Sequence, residues 1–131
     1  MNTKQVIVMR TDLGMRKGKM IAQGAHASIS FLTADMEIKP GKPYFTEGTI
    51  ILLPHEVEWV KGRFTKVCVR VDSEEELLDI HQQAIDAGLS SFLITDAGLT
   101  EFNGVPTNTC LAIGPDEAEK IDQITGHLRL L

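Results

Sequence analysis

Two short stretches of this 131-residue chain combine residue types that packing alone seldom needs. The first, Arg10-Thr11-Asp12-Leu13-Gly14-Met15-Arg16-Lys17-Gly18-Lys19, leaves an apolar run, crosses a Gly-containing polar turn and enters a helical pattern. A strand that gives way to a helix start points backbone N–H groups and cationic side chains at one place, which suits a phosphate or a developing oxyanion. Taken alone, Arg16, Lys17 and Lys19 fit a solvated turn more often than a site. The second stretch, Asp96-Ala97-Gly98-Leu99-Thr100, follows the apolar run Phe92-Leu93-Ile94. A carboxylate at the end of a buried strand lies where α/β sheets commonly hold ligands. Asp-x-Gly is also ordinary turn chemistry, and spacing alone slightly favours that plainer reading.

Other chemistries lack their signatures. There is no GxSxG elbow, no GxxxxGK[ST] phosphate loop and no GxGxxG dinucleotide turn. His55-Glu56 opens like a zinc-protease motif, but Trp59 stands where the second ligand would be, and no CxxC occurs, so neither metal nor cofactor is expected. His81 falls on the apolar stripe of a helical segment and reads as a packed, hydrogen-bonded histidine. Cys68 and Cys110 sit in apolar strand-like runs and read as buried free thiols suited to a reducing compartment.

The elements that must position these residues alternate in type. Val6-Ile7-Val8-Met9 is a β-branched run, and the segment from about Lys19 to Ala34 reads as a buried helix whose Gly24, Ala25, Ala27 and Ser28 permit close approach. Residues 35 to 48, with Pro40, Gly41, Pro43 and Gly48, carry loop chemistry; Thr49 to Leu53 is a candidate extra strand. Pro54 is placed to open a short helix that Gly62 ends. Lys66 to Val71 alternates with period two, and Ser73 with Glu76 forms a capping box before a stripe of Leu77, Leu78, Ala84 and Ile85, closed by Gly88. Phe92 to Ile94 and Cys110 to Ile113 read as further strands, with Pro115 opening a last helix that Gly126 ends. This order predicts a single α/β domain over residues 1–131, with a mixed sheet of four strands, or five with the extra one, and helices on both faces.

Composition agrees with one soluble domain: 43% apolar and 24% charged residues, and no apolar run near the roughly 18 to 20 residues that span a bilayer. Neither a membrane partner nor a secretory leader is expected, and the cytoplasm suits the chain best. The net charge of −5 argues against a general nucleic-acid coat, yet it is unevenly spread. Residues 1–70 carry 11 Lys and Arg against 6 Asp and Glu, whereas residues 71–131 carry 2 against 12. One face can therefore be basic, although acidic helices that merely solvate the second half explain the bias equally simply.

Three motifs in order resemble the type 2 (archaeal and eukaryotic) peptidyl-tRNA hydrolase family. Its members share RTDL-x-M-x-KGK-x-x-AQ-x-x-HA, DAG-x-T and IGP…TGHLKLL. Here they read RTDLGMRKGKMIAQGAHA from Arg10, DAGLT from Asp96, and LAIGP from Leu111 with a terminal ITGHLRLL. The resemblance covers about residues 5–31 and 66–131 and reverses both plainer readings. It implies metal-free hydrolysis of the ester between a peptidyl group and tRNA, commonly by a homodimer, with Lys19, Asp96, Thr100 and Thr109 as catalytic residues. Gln23 and His26 match the AQxxHA helix positions and, with Arg16 and Lys17, fall on the substrate side. The rival reading is a non-catalytic tRNA- or phosphate-binding module of the same fold, which would gain nothing from a carboxylate at its centre. Two positions depart from the family pattern: Leu99 stands where a basic residue is frequent, and Glu101 where Gln is frequent. Residues 35–54 read as a loop insertion without a counterpart.

Overall fold

The structure, a computed structural model, describes residues 2–41 and 46–131. Its frame is a four-stranded sheet built from β1 (Thr3–Arg10), β4 (Lys66–Val71), β5 (Ser91–Asp96) and β6 (Thr107–Glu117), in the order β4-β1-β6-β5. β1 pairs parallel with β4 and antiparallel with β6, while β5 and β6 are antiparallel, so the sheet is mixed. Among the described residues the helices are α1 (Lys17–Thr33), α2 (Pro54–Lys61), α3 (Glu74–Asp86) and α4 (Ala118–Thr125).

β1 is central, and its unbroken apolar run is what a strand covered on both faces requires. Val6 and Val8 join Leu111, Ile113, Val69 and Val71 against Leu77, Ile80 and Ala84 of α3 and Ile121 of α4. The intervening Ile7 and Met9 join Cys110, Ala112 and Ile94 against Ala27 of α1. The period-two alternation of a strand thus sorts successive residues into two cores, one under each helical layer. Each fully buried aliphatic side chain contributes about 1.5–3 kcal/mol. The predicted architecture of one α/β domain with helices on both faces is what forms. Among the described residues no helix is long and apolar enough to cross a membrane.

Several local expectations give way to stronger forces. Among the described residues no fifth strand joins the sheet: β2 (Glu37–Lys39) and β3 (Glu47–Thr49) pair only with each other, as an exposed hairpin where loop chemistry was expected. Ile51 is 90% exposed, and Leu53 is held extended before Pro54 with its N–H donated to Glu56, so residues 50–53 have no sheet to join. Pro43, read as part of the loop, lies outside the described residues. Pro115 does not open the last helix, because β6 continues through it: Asp116 pairs with Lys4 and Glu117 with Thr3, and the helix begins at Ala118. Gln5, opposite the register shift in that ladder, instead anchors α1 through Ser28.

α1 is buried on one side only, with Ile21 and Ile29 exposed. The inner stripe of α3 is Leu77, Ile80 and Ala84, a 3.6-residue repeat that leaves Leu78 and Ile85 exposed. Ser73 does cap α3 by accepting from the Glu76 N–H, and the His81 ring nitrogen lies 2.7 Å from the Ser91 hydroxyl. In β5 only Ile94 is fully buried. Cys110 is buried but Cys68 is exposed, since β4 is an outer strand and its Lys66-Cys68 side is not covered by a helix. The chain end shields the β4 edge instead: the Arg70 N–H donates to the Arg129 carbonyl and the Leu131 N–H to the Cys68 carbonyl.

Candidate active site

Lys19 lies in the first turn of α1 and Asp96 ends β5, so one helix start and one strand end bring them together. The Lys19 ammonium donates to Asp96 Oδ1 at 2.9 Å, with side chains only 15% and 16% exposed. It also lies 3.5 Å from the Thr100 hydroxyl and 5.9 Å from the centre of the Phe102 ring. The second carboxylate oxygen accepts the Gly98 N–H at 2.9 Å. Gly98 has φ +80° and a Cβ there would fall 2.3 Å from the Val105 carbonyl oxygen, so only glycine makes this turn.

Thr109 reaches the site through a break in the sheet. Ile94 pairs with Cys110 and Thr95 with Asn108, leaving Thr109 as the extra residue of a β-bulge. A bulge re-aims a side chain, and the buried Thr109 hydroxyl donates to Gln23 Oε1. The Gln23 amide in turn donates to Asp96 Oδ1 at 3.4 Å. A continuous chain therefore runs from Thr109 through Gln23 to Asp96, and on through Lys19 to Thr100. Lys19 and Gln23 are four residues apart on α1 and share one helical face.

The electrostatics follow from these contacts. The Lys19 hydrogen bond, with help from the Gly98 N–H, holds the Asp96 carboxyl below its ordinary value, so it is ionised at neutral pH. Each carboxylate oxygen has two lone pairs, and Oδ2 has accepted one N–H, which leaves room for a water hydrogen bond. Lys19 has three N–H donors and can turn one towards an incoming carbonyl oxygen.

Other predicted site residues lie nearby without joining the chain. Arg16 is the extended residue before α1, and Lys17 opens the helix; both side chains are exposed. His26 is exposed on the same side of α1 as Lys19, about 10 Å further along at the usual helical rise. Among the described residues no cluster of three His, Cys, Asp or Glu is placed to hold a metal ion.

Residue types alone missed the clamp that orders the β1–α1 loop. Arg10, 7% exposed, grips Asp12 with two nitrogens at 3.0 and 2.7 Å and donates to the Asn108 carbonyl at 3.0 Å, next to Thr109. The hydrogen bonding between Arg10 and Asp12 raises the Arg10 pKa and lowers that of Asp12. A charged residue ending an apolar strand, with its counter-charge two positions on, was the available signal.

An ionised carboxylate and an ammonium meeting at a strand end of an α/β sheet define a site for hydrolytic or anion-binding chemistry. The sequence profile of the family described as peptidyl-tRNA hydrolase PTH2 matches residues 3–131, and the chain belongs to that family. A peptidyl-tRNA hydrolase of Methanocaldococcus jannaschii is 45% identical over 98% of this chain and 99% of its own length. One from Methanothermobacter thermautotrophicus is 44% identical with the same coverage, and one from Sulfurisphaera tokodaii is 40% identical over the whole of both chains. A solved structure of a protein of unknown function from Agrobacterium tumefaciens superposes with a TM-score of 0.59 over 100% of this chain and 98% of that one; at 14% identity it attests the fold alone.

Proposed function

We propose that this chain hydrolyses the ester joining a peptidyl group to the terminal ribose of tRNA, with Lys19, Asp96, Thr100 and Thr109 as its catalytic residues. The observation that carries the reading is the unbroken chain Thr109–Gln23–Asp96–Lys19–Thr100 in a protein whose full length matches peptidyl-tRNA hydrolases. Asp96, held ionised by Lys19, orients the attacking water rather than acting as a strong base. Lys19 and the backbone N–H groups opening α1 stabilise the negative charge that develops on the carbonyl oxygen. Gln23 and Thr109 hold the carboxylate in place, and Thr100 positions water or carbonyl. When the intermediate collapses, the bond from carbon to the ribose oxygen breaks and that oxygen receives the proton given up by water. Arg16, Lys17 and His26 form the approach for tRNA.

The deciding assay offers N-acetylated and free aminoacyl-tRNA to the purified protein. Fast release of the acyl group from the N-blocked form, with little from the free form and no response to chelator, is the expected result. Binding of tRNA without release would make the chain a carrier of the same fold.

The chain acts as a homodimer in the cytoplasm. Support for the dimer is an apolar cleft of about 620 Å³ between α1, α2 and the uncovered side of β4, flanked by Ile21 and Ile29, which are 72% and 50% exposed. A second copy is the occupant such a surface needs to be hidden from water. Sedimentation should give a dimer that Ile21→Glu splits; a monomeric wild type would remove this part of the reading.

A further inference from the structure

A pocket of about 480 Å³ opens beside Lys19 and is separate from the apolar cleft. Its walls are Leu13, Gly14 and Arg16 from the loop that leads into α1, and Thr100, Glu101 and Phe102 from the loop that leaves β5. Thr100 and Phe102 also face the Lys19 ammonium, so the pocket begins where the reacting ester must lie. Its size falls in the roughly 300–1,000 Å³ range of small-molecule sites. Leu13 and Phe102 pack on the core beneath, which fixes the ring, while Arg16 and Glu101 supply one cation and one hydrogen-bond acceptor.

We propose that this pocket receives the terminal adenosine of tRNA, with the base stacked on Phe102. The inference rests on the peptidyl-tRNA reading and extends it. Hydrolysis places the ester carbonyl at Lys19, and the alcohol side of that ester is the ribose of the last nucleotide, so its base lies within one sugar of the site. Every tRNA ends in the same adenosine, whereas the acyl side varies from substrate to substrate. A fixed aromatic ring beside one cation and one carboxylate matches the constant part: Phe102 meets the flat base, Arg16 the 5′-phosphate, and Glu101 accepts from an amine or hydroxyl of the nucleoside. Glu101 replaces the Gln frequent at this position, and as an acceptor only it narrows the partner to a donor-bearing group.

The test is competition against N-acetylaminoacyl-tRNA by adenosine 5′-monophosphate and by ribose 5-phosphate, which lacks the base. Stacking predicts that the nucleotide inhibits competitively with a constant roughly tenfold or more below that of the sugar phosphate. In Phe102→Leu that gap should close, while hydrolysis remains measurable. Equal inhibition by the two compounds in the wild type overturns the proposal without any mutant, as does an undiminished gap in folded Phe102→Leu. A Phe102→Leu protein that changes its choice among acyl groups, with its preference for the nucleotide intact, assigns the pocket to the peptide instead and also overturns it. If the wild type cleaves no peptidyl-tRNA, the catalytic reading fails separately. Titration of adenosine 5′-monophosphate followed by the Phe102 ring resonances then still shows whether the base enters.

Discussion

Asp96 carries the largest share of the proposed chemistry, and its surroundings say what to expect of it. Asp96→Asn preserves shape while removing the charge that orients water. Turnover should fall roughly 100-fold or more with tRNA affinity little changed, read from kcat, a binding titration and a melting curve that shows the fold intact. Near-normal turnover in the folded variant would return Asp96 to a turn-capping role. The pH profile follows from the lowered carboxyl. A depressed Asp contributes stability that is fully present above its ordinary value near 3.8 and is lost only as pH falls through the still lower folded value. Between about pH 5 and pH 8 the rate should therefore show no step from Asp96. The two thiols give a simpler check. Burial pushes Cys110 up to about 11, so a thiol reagent near neutral pH should leave it unlabelled in the folded chain, whereas Cys68, which lines the cleft assigned to the second copy, should be protected in the dimer and labelled in the monomeric Ile21→Glu variant. Mass spectrometry of the labelled peptide reads the outcome, and label on Cys110 would contradict the packing.

At the scale of elements, the two loops at the strand ends hold the site, and the Arg10–Asp12 clamp sets one of them. Arg10→Lys keeps the charge but loses the planar fork that grips Asp12 and the Asn108 carbonyl together. A small displacement of the loop should lower turnover by about 10- to 100-fold. Ser73→Ala serves as its counterpart: loss of the α3 cap should cost about 1 kcal/mol in denaturant unfolding and leave turnover unchanged. Helix caps, strand alternation and the existence of each main element were legible in the sequence because they depend on neighbours a few residues apart. Pro115 misled because its local preference for a helix start yields to pairing with Thr3 and Lys4, which no local pattern contains. The site was half legible. Lys19 and Asp96 stood out by type and motif, and Gln23 only by its match to the AQxxHA positions of the family pattern. The bulge that aims Thr109 at Gln23 exists only once β5 and β6 are in register.

Over the whole molecule, charge decides how tRNA arrives. The chain is acidic in total, but Arg16 and Lys17 stand exposed beside the site, so tRNA affinity should fall with rising salt by about one unit of log–log slope per phosphate contact. A shallow slope is expected, and a flat one would mean that these cations face solvent only.

The pairing of β1 with β6 has a temporal consequence. The central ladder joins Thr3 to Glu117, so β1 waits for a strand synthesised much later than itself before its core can close. Folding of this kind is dominated by distant contacts and is slow. Until residue 117 has left the exit tunnel, Val6 to Met9 can pair only with β4, and the edge of β1 that β6 covers stays open to chaperones and to other nascent chains. A chain truncated before β6 should therefore lack activity, because the strand that pairs with both β1 and β5 and carries Thr109 is missing.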